Sequence, residues 1–152
     1  DLTVKDNIDL ALRNSSYSRA AIRNRREQLI NEFNLNNFVD NYGYQLSGGE
    51  RRRCEIARAL TVGRKGPKYL LLDEPFAGID PLAVNDLRKL ILKLSSDGVG
   101  ILITDHNVRE TLLITNKSYV LSEGKILANG SSSELADNPI VKKYYLGDNF
   151  KL

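Results

Sequence analysis

The run Tyr69-Leu70-Leu71-Leu72 restricts this chain more than any other feature: it is apolar without interruption and stops at Asp73-Glu74-Pro75. A strand with one wet face alternates apolar and polar residues. An unbroken run bounded by Pro67 and Pro75 therefore reads as a strand buried on both faces. Such strands belong to parallel sheets, whose members are joined by crossover helices. The next segment supplies a crossover: Pro81 opens a helix in which Val84, Leu87, Leu90, Ile91 and Leu94 recur at helical spacing, and Gly98 ends it. Residues 99–104 read as a second buried strand, 107–114 as a short helix and 118–122 as a third strand. Glu123-Gly124 turns that strand into a hairpin with 125–128. Ser131-x-x-Glu134 is a capping box, and Asn138-Pro139 starts a last helix through Tyr145. Strands alternating with helices in this way make the class α/β.

Residues 1–45 have another texture, helical and polar. A short helix is expected over 5–12, carrying Ile8, Leu10 and Leu12. Over 18–34, Ile22, Leu29, Ile30 and Phe33 share one face, and Arg19, Arg23, Arg25, Arg26 and Glu27 form the other, read as a solvated surface. Composition bounds what the whole can be. With 152 residues the chain has the length of one domain, and 41% hydrophobic with 27% charged residues excludes a disordered chain. A net charge of +3 is far from a nucleic-acid-binding tail, and one cysteine excludes a disulfide scaffold. No apolar stretch approaches the about 18 residues that would span a bilayer. There is no methionine, so the chain reads as a processed product or a fragment.

Three places carry chemistry. Ser47-Gly48-Gly49-Glu50 stands just ahead of a helix over 51–60; a serine N-cap, two glycines and the unpaired N–H groups of a helix start suit an anion, or simply make a well-capped loop. Asp73-Glu74 closes the apolar strand, where open α/β sheets bind ligands. Two carboxylates taken as buried there need a cation or hydrogen bonds. Asp73 then reads as a Mg²⁺ ligand and Glu74 as the base for an attacking water. His106, the only histidine, follows the second strand and is expected at the same sheet edge. Cys54 reads as a small half-buried helix residue rather than a nucleophile. The run Arg51-Arg52-Arg53 wraps most of a helical turn and reads as surface, with one member available to pair with an acid.

Together these segments resemble the ATP-binding cassette (ABC) ATPases. Leu46-Ser47-Gly48-Gly49-Glu50 is similar to their signature motif, and Leu70-Leu71-Leu72-Asp73-Glu74-Pro75 to the Walker B strand. Ala77-Gly78-Ile79-Asp80 resembles the D-loop, Thr104-Asp105-His106 the switch histidine, and residues 2–8 the segment after the Q-loop. Within the family, residues 46–53, 73–81, 103–111 and 145–152 look most like the lipopolysaccharide-export branch. The branched-chain amino-acid importers are the runner-up.

The resemblance implies a partial P-loop NTPase fold: a parallel sheet with helices, an α-helical subdomain, and a C-terminal β-hairpin and helices. Its parts would be a signature subdomain over 1–63, the C-terminal part of the ATPase core over 64–130 and terminal helices over 131–152. By the same resemblance, Ser47, Gly48 and Gly49 bind the γ-phosphate of an ATP held by a second subunit. Asp73 organises Mg²⁺, Glu74 activates water, His106 contacts the γ-phosphate and Asp80 couples the two sites. The implied activity is ATP hydrolysis coupled to transport. The implied partners are a second copy in a homodimer and transmembrane permease subunits, with no nucleic acid, at the cytoplasmic face of a bacterial inner membrane. A non-transport ABC ATPase acting on nucleic acid or ribosomes would carry long insertions and a more basic surface.

The family's phosphate-cradling loop, G-x-x-x-x-G-K-[ST], does not occur, and Gly63-Arg64-Lys65-Gly66-Pro67-Lys68 has the wrong spacing for it. The expectation is a C-terminal piece, inactive by itself, with an exposed sheet edge and an uncovered apolar face that pair with another copy.

Overall fold

Side-chain caps start most of the helices. The Asp6 N–H donates to Thr3 Oγ1 at 3.1 Å to open α1 (Val4–Arg13), and the Ala21 N–H donates to Ser18 Oγ at 3.3 Å to open α2 (Arg19–Glu32). The computed structural model describes residues 2–14, 17–63 and 66–147. The readings made for Arg64 and Lys65, and for the ending 148–152, lie outside the described residues. The chain divides into two compact units, Asp1–Ile103 and Thr104–Leu152.

In the first unit, α1 and α2 are followed by single 3₁₀ turns at Asn36–Phe38 and Gly43–Gln45. Then come α3 (Gly48–Ala59), β1 (Tyr69–Asp73), α4 (Pro81–Ser96) and β2 (Gly100–Thr104). Val4, Ile8 and Leu12 recur every fourth residue of α1 and are buried, as are Leu29, Ile30 and Phe33 at the end of α2. Helix α1 packs on both α2 and α3, and α3 packs on α4. Leu10, expected with the apolar set, is exposed, because it lies off the stripe that Val4, Ile8 and Leu12 define.

The arginines of α2 are not all solvated. Arg19 and Arg23 are exposed, but Arg26 Nη1 donates to Asp9 Oδ2 at 2.7 Å and Arg25 Nη2 donates to the Leu60 carbonyl at 3.3 Å. A long apolar stem lets an arginine cross the edge of a core and still place its charged head on an acceptor. The Asp9–Arg26 pair ties α1 to α2 from two largely covered side chains.

Strands β1 and β2 pair in parallel across the α4 crossover, in keeping with the α/β class. The expectation of strands buried on both faces is corrected. In β1 Leu70 and Leu72 are buried, while Tyr69 and Leu71 are 75% and 71% exposed; in β2 Leu102 is 61% exposed. An unbroken apolar run states what a strand can bury on each face, and here only one face of β1 is covered.

The second unit holds α5 (Val108–Leu112), the hairpin β3 (Ser118–Ser122) and β4 (Lys125–Gly130), α6 (Ser132–Asp137) and α7 (Pro139–Val141), with a wide turn at Lys142–Leu146. The antiparallel register runs from Ser118↔Gly130 to Ser122↔Lys125, with an irregularity between Val120 and Leu121. Glu123 and Gly124 both have positive φ, +50° and +74°, as a two-residue hairpin turn requires. Leu112, Val120, Leu135 and Val141 form its core.

The box at the start of α6 is closed in both directions. The Ser131 N–H donates to Glu134 Oε2 at 2.7 Å, and the Glu134 N–H donates to Ser131 Oγ at 3.4 Å. Hydrogen bonds from the Ser131 backbone and hydroxyl hold the Glu134 carboxyl below its ordinary 4.5. A depressed native value means that this stabilisation is full above 4.5 and is lost as pH falls through the native value. Hydrogen exchange followed by NMR should find the Ser131 amide protected at neutral pH and progressively released in acid. Glu134→Gln should flatten that profile.

Candidate functional site

The site begins at the first turn of α3. Ser47 is its N-cap, with extended backbone (φ −61°, ψ 164°). Its own N–H donates to Glu50 Oε2 at 2.7 Å, and the Glu50 N–H donates to Ser47 Oγ at 3.3 Å. This closed box leaves the N–H groups of Gly48 and Gly49 without a protein partner among the described residues. They are the free donors of a 12-residue helix, at its positive end.

Packing gives the two glycines a role that the sequence did not disclose. A Cβ on Gly48 would stand 2.9 Å from the Gly78 carbonyl oxygen and 2.9 Å from Ile79 Cγ2. One on Gly49 would stand 2.6 Å from Ala83 Cβ. The first turn of α3 is therefore seated directly on the loop after β1 and on the first turn of α4. Asp80 caps α4, its Oδ1 accepting the Ala83 N–H at 3.0 Å, and Pro81 follows at the first helical position.

Asp73 is the last residue of β1 and Glu74 the next, and both are exposed. Their expected burial is corrected: Asp73 lies on the open side of β1 and Glu74 just beyond the strand, both exposed, so desolvation does not argue for a cation. Glu74 has φ +46°, unusual for a residue with a Cβ. Pro75 and Phe76 behind it are buried, and the turn is closed by the Ala77 N–H donating to the Glu74 carbonyl at 3.2 Å. Arg52 reaches the same carbonyl from α3, Nη2 donating at 3.0 Å, while its Nη1 donates to Glu55 Oε2 at 2.8 Å. A cavity of about 200 Å³ between α3 and β1 is lined by Arg52, Glu55, Ile56, Leu71 and Asp73, among others.

Ser47, Gly48, Gly49, Asp73, Glu74 and Asp80 thus all belong to the first unit. His106 belongs to the second. It is exposed between β2 and α5, its carbonyl accepting the Val108 N–H at 3.0 Å, and the neighbouring Asp105 Oδ1 accepts the Asn107 N–H at 2.7 Å. Cys54 is buried in α3, and burial pushes its thiol up, away from the reactive thiolate.

Among the described residues no group of three or more His, Cys, Asp or Glu side chains could hold a metal ion. Mg²⁺ at a phosphate site asks for less than that: one or two carboxylates, with phosphates and waters completing the shell. The exposed Asp73 at the strand end fits such a single-ligand role. What sequence reasoning missed is the reach to Glu74 of Arg52, read there as part of a surface run with one member available to pair with an acid. Its spacing to Glu55 is legible as a helical pair, but Glu74 lies 22 positions away and no local pattern connects them.

Comparison with known proteins bears on the family and the fold. The family described as ABC transporter matches residues 1–77. The chain is 48% identical, over 99% of its length, to the lipopolysaccharide export system ATP-binding protein LptB of Acidithiobacillus ferridurans, and it spans 61% of the length of that relative. Among solved structures it resembles an ATP-binding cassette of an ABC transporter in its ADP conformation, with a TM-score of 0.78 and 26% identity. That likeness covers 97% of this chain and 63% of the other. It also resembles a dimeric post-hydrolysis cassette bound to ADP and Pi, with a TM-score of 0.73 and 25% identity, over 86% of this chain and 57% of the other.

The close seating of α3 predicts opposite fates for two glycines. Gly49→Ala should lower stability by about 1–3 kcal/mol as α3 and α4 are forced apart. Gly43→Ala, whose Cβ would meet nothing within 4 Å, should stay within about 0.5 kcal/mol of the parent. Urea unfolding of the two variants measures both.

Proposed function

The chain belongs to the ABC transporter ATP-binding family, and on that premise we propose that it supplies part of the hydrolytic site of a lipopolysaccharide-export ATPase. Two copies face each other. The free Gly48 and Gly49 amides and the Ser47 hydroxyl at the start of α3 meet the γ-phosphate of an ATP held by the opposite copy. A helix start with unpaired donors suits this task, because donors and dipole both favour an anion. Glu74, beyond the end of β1, takes the proton of the attacking water, and Asp73 beside it is the protein ligand for Mg²⁺. When bound, that ion offsets charge developing on the phosphate oxygens. His106 contacts the γ-phosphate. Asp80, at the seam between the loop and α4, links one site to the other.

The observation that carries this reading is the junction of Gly48 with Gly78 and of Gly49 with Ala83. It makes one rigid piece of the anion-binding helix start and the loop that follows the two carboxylates. Membrane-embedded permease subunits are the proposed partners and lipopolysaccharide the proposed cargo, the latter on the likeness to the LptB relative. The subunit works from the cytoplasmic face of the inner membrane. No helix among the described residues is long and apolar enough to cross a bilayer.

The full-length gene product should hydrolyse ATP, and Glu74→Gln should lower kcat by about 10²–10⁴-fold while ATP still binds. In vesicles with its permease, turnover should respond to lipopolysaccharide and not to branched-chain amino acids. The 152 residues alone contain no G-x-x-x-x-G-K-[ST] loop and should show no turnover. Activity of those residues alone that is lost in Glu74→Gln would contradict this.

A further inference from the structure

We propose that Arg52 is a positioning residue for Glu74, holding the base through its main-chain carbonyl. The proposal rests on the ATPase reading above and adds to it a residue outside the motifs that define the site.

Glu74 adopts a backbone that its sequence resists. It carries a Cβ yet has φ +46°, and it precedes Pro75, whose ring pushes the preceding residue toward extended backbone. Such a conformation persists only where neighbouring groups over-determine it. On the downstream side, burial of Pro75 and Phe76 anchors the turn. The Glu74 peptide itself is gripped by two donors on one carbonyl oxygen, the Ala77 N–H at 3.2 Å and Arg52 Nη2 at 3.0 Å.

The Arg52 grip is braced from its other side. Nη1 donates to Glu55 Oε2 at 2.8 Å, one turn along the same helix, and both side chains are partly covered. A planar guanidinium presents donors in a fixed fork, so one head serves the carboxylate and the carbonyl together. A lysine offers a compact point charge with no such fork.

The Glu74 carbonyl does no chemistry, but its direction fixes where the Cα–Cβ bond leaves the chain. A general base must stand within hydrogen-bond reach of its water, and a displacement of about 1 Å can lower rate by about 10²-fold. Arg52 also rides on α3, whose first turn is Ser47, Gly48 and Gly49. The helix that meets one nucleotide thereby holds the base that serves the other.

The test uses Arg52→Ala, Arg52→Lys and Glu55→Ala, with two readouts. In the full-length gene product, Arg52→Ala should lower kcat by about 10–100-fold with KM for ATP within about twofold, the signature of a lost transition-state contribution rather than lost binding. Glu55→Ala should give a smaller loss of the same kind, and Arg52→Lys should recover only part of the rate. In the 152-residue chain, the Glu74 Cα shift and its HN–Hα coupling should leave their positive-φ values in Arg52→Ala, while the methyl signals of Ile91 and Leu94 stay in place. Unchanged kcat, a raised KM at unchanged kcat, or an unmoved Glu74 signal would overturn the proposal. Should Arg52→Ala fail to fold, Glu55→Ala and Arg52→Lys carry the same two readouts. A parent protein without ATP turnover sinks the ATPase reading and leaves the NMR arm to judge the positioning. A parent that turns over, is inactivated by Glu74→Gln and is indifferent to Arg52 sinks the positioning alone.

Discussion

The seating of α3 on the loop after β1 is the constraint on which the site depends. Gly48 lies under the Gly78 carbonyl and Gly49 against Ala83, both closer than any Cβ would allow. That approach brings the free amides at the start of α3 beside the Asp80 cap of α4, and it brings Arg52, further along α3, within reach of Glu74. Widening the seam by the size of a methyl group would loosen all of these at once, because packed elements transmit a local clash rather than absorb it.

Around this seam the polar groups are used economically. Asp80 and Ser47 each cap a helix while remaining exposed, so one side chain sets a local backbone and stays accessible to a ligand. Arg26 and Arg25 bind α2 to Asp9, midway along α1, and to the Leu60 carbonyl at the C-terminal end of α3. Of the described non-glycine residues with positive φ, Asn34, Glu74 and Glu123, Glu74 is the one the chemistry needs aimed.

Much of the fold was legible from local pattern. The caps at Ser47 and Ser131, the stripe Val84-Leu87-Ile91-Leu94 and the Glu123-Gly124 turn all occur where local rules put them. These depend on neighbours within a few residues, which a sequence displays. Burial of β1 depends on what covers each face, so the unbroken run Tyr69 to Leu72 gave no warning that Tyr69 and Leu71 stand exposed. The left-handed Glu74 ran against its pre-proline position, and the Arg52 hydrogen bond joins segments with no shared periodicity. The glycine pair was read as room for a ligand. The structure adds that it is room for Gly78 and Ala83.

The central claim is that the start of α3 in one copy and Glu74 of the other serve the same ATP. Mixing two inactive full-length variants, Ser47→Arg and Glu74→Gln, tests it directly. A mixed dimer then contains one site with an intact Glu74 from the first variant and an intact Ser47 from the second. ATP turnover restored on mixing, and absent from either variant alone, is the result this account predicts. No recovery in dimers shown to have exchanged subunits would contradict it.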